Sequence, residues 1–139
     1  MAVLTRHLEF ETRGNAQITD ITPGMGDELA GTGLQDGVLT VFVPGATGAL
    51  TTVEYEPGLV QDLDELWDRL IPSDVQYNHD RTWGDGNGHS HLRASLLGPS
   101  LSVPFIGGEF ALGTWQQVIF IDFDNRSRRR RLVLQFIGE

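Results

Sequence analysis

The chain has 139 residues, 40% of them hydrophobic and 21% charged, a length and balance that predict a single domain, 1–139, with one buried core. Cysteine is absent and all ten basic residues are arginine, which excludes disulfides, thiolate nucleophiles, Schiff bases and a phosphate-loop lysine. A net charge of −9 opposes general attraction to nucleic acid or anionic lipid, and the longest apolar runs are too short to cross a membrane. The first residues carry no charged stretch followed by an apolar one, so the expectation is a cytoplasmic protein.

In chain order, residues 2–12 alternate as an opening strand, and Ile18 and Ile21 suggest a short second one before Pro23 and Gly24. A helix with a thin apolar face follows between Pro23 and Leu34. Residues 37–43 are rich in β-branched side chains and predict a buried strand, with another from Ala49 to Tyr55. Leu59, Val60, Leu63, Leu66, Trp67 and Leu70 recur at helical spacing, which predicts the main helix over Pro57–Ile71, with Glu56 placed at its positive end. A polar, glycine-rich stretch from Ser73 to Ser90 reads as loop, and a short helix runs from about His91 to Leu97. The remainder reads as antiparallel strands at 101–106, 110–112, 115–123 and 131–137. Strands flanking one strong helix, rather than alternating with helices, imply an α+β fold with antiparallel sheets.

The densest chemistry lies in Tyr77–Leu97, which holds three of the four histidines. His79, His89 and His91 form a candidate divalent-metal set, although His89 and His91 diverge by about 200° if one helix contains both, in which case Asp80 or Asp85 would complete the sphere. The plainer alternative is that these histidines cap the helix and fill loop hydrogen bonds. Gly84, Gly86 and Gly88 permit backbone approach to an anion, with Arg81 or Arg93 as phosphate partners, but the same glycines are ordinary turn chemistry. Glu54 is a candidate general base, whereas Glu56 is better explained by the helix end beside it. Arg126 and Arg128–Arg131 could form a nucleic-acid patch, a minor reading given the net charge. Strand alternation separates Arg128 and Arg130 from Arg129 and Arg131 and lets Asp122 and Asp124 pair with one set, which favours a salt-bridged hairpin or a subunit interface. Trp115 could stack on a ring substrate, but a Trp entering a strand is more often core.

These segments, in this order, resemble the YjbQ-like family, also described as secondary thiamine-phosphate synthases. The resemblance runs from about Gly37 to Glu139. It rests on VPGATGALTTVE, on Tyr77 and His79, on Asn87 and His91 followed by ASLLG, on LGTWQ at 112–116, and on Asp124, Arg126 and Arg128. It implies two mainly antiparallel sheets in a sandwich-like arrangement with one main helix, a homotrimer with sites near subunit boundaries, and the joining of an aminopyrimidine diphosphate to a thiazole phosphate. Gly45 stands where the family has histidine and Val53 where it has asparagine. The resemblance carries over Glu54 and His91 as catalytic, and Asn87, with Arg81, Arg128 and Trp115 as further substrate-binding candidates. His79, His89 and His91 then form a site for zinc or magnesium, His89 standing in for the missing imidazole. Two alternatives remain open at this stage: a metal-assisted hydrolase with Glu54 as base, and a non-catalytic oligomer that binds a phosphate-bearing metabolite.

Overall fold

Alternating apolar residues carry most of the chain into strands. The computed structural model describes residues 1–139 and contains β1 (Ala2–Thr12), β2 (Gln17–Asp20), α1 (Thr22–Thr32), β3 (Gly37–Phe42), β4 (Gly48–Val53), α2 (Pro57–Leu70), α3 (Asn78–Trp83), α4 (Gly88–Leu97), β5 (Ser100–Ile106), β6 (Glu109–Phe110), β7 (Gln117–Asp122) and β8 (Arg128–Gly138). The strands form one five-stranded sheet, in the order β1-β8-β3-β5-β6, and one three-stranded sheet, β2-β7-β4, antiparallel throughout. This is the α+β arrangement the sequence implies. No helix is long and apolar enough to cross a membrane.

The period-2 pattern of β8 decides the packing: Leu132, Leu134 and Phe136 point inward and are fully buried, while Arg129 and Arg131 point out. They meet Leu39 and Val41 of β3, Val103 and Phe105 of β5, and Val118 and Phe120 of β7, so the main core lies between the sheets. Met25 and Leu29, one turn apart on α1, join the same core. The alternate residues of β7, Ile119 and Ile121, face the other way and build a second core with Ala49, Trp67, Ala94 and Phe123. A strand buried on both faces reads as a continuous apolar run, as residues 118–121 do. The Trp67 and Phe123 rings meet edge to face at 5.1 Å and anchor α2 over the smaller sheet.

Helix α2 starts where Glu56 accepts hydrogen bonds from the backbone N–H groups of Gly58 and Leu59 at 2.9 and 2.5 Å, with Pro57 in its first turn. The stretch 73–90 departs from its reading as loop: it contains α3, and α4 begins at Gly88 rather than near His91. The cause is Asp80, one oxygen of which accepts from Tyr77 N at the start of α3 (2.9 Å) and the other from Gly88 N at the start of α4 (2.8 Å). Trp115 also departs from expectation as a core residue, lying in the turn before β7 with 72% of its surface exposed. β8 starts at Arg128, three residues earlier than the apolar run suggests, because Arg128–Arg131 already pair with Glu9–Thr12 of β1.

At one end of the molecule three connections, 13–16, 43–47 and 123–127, pass from one sheet to the other. Gly48, just beyond the second of these, lies so close to Phe120 that a Cβ there would stand 2.7 Å from the ring. The Gly48→Ala variant is therefore expected to lose roughly 1–3 kcal/mol through overpacking, read as a lower denaturation midpoint in urea.

Candidate functional site

Residues two apart on a strand share a face, so Arg128 and Arg130 turn toward the inter-sheet end while Arg129 and Arg131 turn to the outer surface. The outer pair meets Glu9 across the β1–β8 ladder, at 3.1 Å from Arg129 and 3.3 Å from Arg131. The inner pair meets Asp122 at the end of β7 and Asp124 in the connection that follows it. Arg130 donates through Nε and Nη2 to the two oxygens of Asp122 at 2.7 and 2.8 Å, and Nη2 also reaches Thr47 Oγ1 at 3.0 Å. Arg128 donates through Nε to Asp124 Oδ2 at 2.8 Å, and its Nη2 lies 2.6 Å from the same oxygen. Thr12 donates to Asp122 at 2.5 Å, Thr47 to Asp124 at 3.1 Å, and the Asn87 amide to Asp124 at 3.3 Å. The expected split of the arginines into two sets, one paired with Asp122 and Asp124, is present.

Burial alone would raise both carboxyl groups. For Asp124 the Asn125 amide, Arg128 and Asn87 outweigh burial and hold the group at about 2, and for Asp122 the bonds from Arg130 and Thr12 keep it below the ordinary carboxylate range.

In front of this network lies a cavity of about 400 Å³ lined by the Pro44–Thr47 connection, His79, Trp83, Asp85, Asn87, His91, Arg128 and Arg130. The His79 and His91 rings stack at 4.3 Å between centroids with a 39° tilt. His79 Nδ1 is buried without a hydrogen-bond partner, 3.8 Å from Asp85 Oδ1, and Asn87 Oδ1 is likewise unpartnered. Burial and then the neighbouring His79 depress the pKa of His91, which favours a neutral imidazole with a free lone pair. His79, Asp80 and Asp85 each offer a donor atom within 4.8 Å of the others. His79 with the Asp80 and Asp85 carboxylates forms a mixed nitrogen and oxygen set of the kind that suits zinc, and Asn87 Oδ1 is unpartnered in the same cavity.

The structure thus brings together His79, His91, Asn87 and Arg128. His89 is buried on α4 but does not line the cavity, because α4 includes both His89 and His91 and two residues of helix turn their side chains apart. Burial, followed by Arg93, depresses the His89 pKa, so it too favours the neutral form. Arg81 is exposed on α3 and Trp115 is exposed in its turn, both outside the cavity lining. Glu54 is exposed just past the far end of β4, roughly 20 Å of extended chain from Thr47, and also lies outside. Sequence reasoning did not assign Pro44, Ala46, Thr47 or Trp83 to the cavity wall, the last 73% exposed and without a signal, and it named Arg130 only within the arginine cluster, although it shares a strand face with Arg128.

A family model described as UPF0047 protein YjbQ-like matches residues 6–139. A UPF0047 protein of Methanothermobacter thermautotrophicus is 37% identical over 139 residues, covering 100% of this chain and 95% of the relative. One of Archaeoglobus fulgidus is 39% identical over 126 residues, covering 91% and 96%. Among solved structures, a hypothetical protein from Aeropyrum pernix superposes with a TM-score of 0.86 at 32% identity, covering 96% of this chain and 99% of that one. A YbjQ-like protein of unknown function from Sulfolobus solfataricus superposes at 0.89 with 24% identity, covering 99% and 100%, a likeness of fold.

The Asp124 geometry has a measurable consequence. Its folded pKa of about 2 lies below the value of about 3.9 usual for an unfolded chain, so its stabilisation is complete above that value and lost as pH falls through the folded pKa. Urea titrations from pH 5 to pH 2 are expected to show falling stability in the parent protein and a shallower fall in Asp124→Asn, which starts from a lower midpoint at pH 5.

Proposed function

The chain belongs to the YjbQ-like UPF0047 family, and from that premise we propose that its cavity binds a phosphate-bearing small molecule and supports thiamine-phosphate-synthase-type condensation of an aminopyrimidine diphosphate with a thiazole phosphate. The observation that carries this reading is the convergence of the His79–His91 pair and the Arg128–Arg130 pair on one cavity. In that reaction the methylene C–O bond breaks and its electron pair leaves on the diphosphate. The thiazole nitrogen lone pair forms the new C–N bond, and no proton moves in the bond exchange. Departing negative charge is what the site must stabilise.

His79, Asp80 and Asp85 would hold a divalent metal such as zinc, which when bound would neutralise charge on the diphosphate, while His91 stacks on His79 beside it. Arg128 and Arg130 grip phosphoryl oxygens with side chains already fixed by Asp124 and Asp122. Asn87 offers its unpartnered carbonyl oxygen, and the exposed Trp83 ring offers a flat surface for a heteroaromatic ring. The metal-assisted hydrolase reading has less support, because Glu54, its base, stands outside the cavity of its own chain. A homotrimer belongs to the same proposal, as the means by which Glu54 would reach a neighbouring cavity. Gly45 favours a second reading, non-catalytic binding of a phosphate metabolite: it lines the cavity where the family carries an imidazole, at φ 152°, a backbone conformation that side chains rarely adopt.

With both substrates and magnesium, purified protein is expected to form thiamine phosphate at a rate at least about 100-fold above His91→Ala. No product, with saturable binding of the diphosphate substrate, would replace the enzyme reading with the second one. Elemental analysis of untagged protein is expected to find about one divalent ion per chain, lost in His79→Ala; an ion retained in that variant would remove His79 from the set.

A further inference from the structure

Arg128 and Arg130 are both pinned from behind through Nε and Nη2, Arg130 on the two oxygens of Asp122 at the end of β7 and Arg128 on one oxygen of Asp124 in the β7–β8 connection. Neither Nη1 has an acceptor within the protein. Arg130 is only 7% exposed, yet it lines the cavity, and a Cβ at Gly45 would stand 3.4 Å from its Nη1, which therefore faces the 43–47 connection. That connection has a matching property. The backbone N–H groups of Gly45, Ala46 and Thr47 form no hydrogen bond to any backbone or side-chain acceptor, and all three residues line the same cavity. Successive free amides and charged guanidinium N–H groups are the two donor types that recognise oxyanions.

We propose that the two Nη1 groups and the Gly45–Thr47 amides form one oxyanion clamp, built for a terminal phosphoryl group, with Asp122 and Asp124 as positioning residues. The assignment to phosphoryl rests on the functional reading above and on a donor count. A carboxylate presents two oxygens, whereas a terminal phosphoryl group presents three, arranged tetrahedrally, and so accepts from donors lying in several planes. The two guanidinium planes and the crossing backbone provide donors of that kind. The clamp is separate from the histidine side of the cavity and needs no metal. Preorganisation gives it strength: the bonds to Asp122, Asp124 and Thr47 fix the side chains before a ligand arrives, so little rotamer freedom is lost on binding. Glycine at 45 keeps Nη1 of Arg130 uncovered.

The test uses the full-length protein with EDTA present and ionic strength held constant, and probes binding of inorganic phosphate, inorganic diphosphate and acetate by calorimetry and thermal shift. Phosphate and diphosphate are expected to bind saturably and acetate at least tenfold more weakly. Arg128→Gln and Arg130→Lys are expected to weaken phosphate binding tenfold or more, the lysine retaining charge but not the fork. Arg129→Gln, one residue away and facing the outer surface, is expected to change it less than twofold. Should Arg130→Lys fail to fold, Arg128→Gln carries the test, since the Arg128 side chain is 34% exposed and sits at the rim. Equal losses in Arg128→Gln and Arg129→Gln would reduce the effect to general electrostatics and overturn the clamp. Acetate binding as tightly as phosphate would overturn its phosphoryl assignment, and phosphate binding only without EDTA would overturn the metal-free clamp itself. Failure of the condensation reaction leaves metal-free phosphate binding in place, so the two proposals fail separately.

Discussion

The buried ion pairs between β7 and β8 are the constraint on which the inter-sheet end of the molecule depends. Asp122 and Asp124 leave the three-stranded sheet, Arg128 and Arg130 enter the five-stranded one, and their bonds close the turn between them. The other two crossings attach to the same carboxylates. Thr12 reaches Asp122 from β1, and Thr47 reaches both Asp124 and Arg130 from the β3–β4 connection. Even backbone strain is absorbed there: Asn15 and Ala16 hold positive φ while their amides bond the carbonyls of Asp124 and Asp122.

Such pairs are a poor way to gain stability alone, since taking two charges out of water costs several kcal/mol per ion before their attraction offsets it. A hydrophobic cluster would close the end of the sandwich at least as well. What the ionic version adds is direction. An arginine fork fixed on both oxygens of a carboxylate has one orientation, and that of Arg130 on Asp122 leaves its Nη1 beside Gly45 of the cavity wall, while Arg128, held on Asp124, lines the same cavity. The charges that hold the sheets together are thereby the charges that shape the cavity, so a substitution at Asp122 or Asp124 acts on the fold and on the cavity wall at once.

Much of this was legible in the sequence, for reasons that differ by element. Period-2 patterning over 2–12, 37–43 and 131–137 and helical spacing over Pro57–Ile71 are local signals, and they located β1, β3, most of β8 and α2 within a few residues. The inner and outer arginine sets followed from alternation alone. What escaped is non-local. Helix α3 has hardly any apolar face and exists because Asp80 bridges two helix starts, which no pattern over 73–90 reveals. Trp115 has the composition of a core residue but falls in a turn. Which histidines meet depended on where α4 begins, so the same shift that moved its start from near His91 to Gly88 turned His89 away from His91.

The net charge of −9 and a site for anions are compatible on magnitudes. At physiological ionic strength charges beyond about 8 Å are largely screened, and none of the α2 acids lines the cavity, so net charge alone says little about what the cavity accepts. Near the cavity the two arginines are offset by their own aspartates, and Asp80 and Asp85 add two negative charges. An oxyanion bound here, as proposed, would be held by directed donors rather than by excess positive charge. A ligand with several negative charges would still meet Asp85 as a repulsion. Under the proposed reading the two halves of the cavity would do complementary work: the arginine side would hold a phosphoryl group, and a cation held by His79, Asp80 and Asp85 would offset the charge that remains.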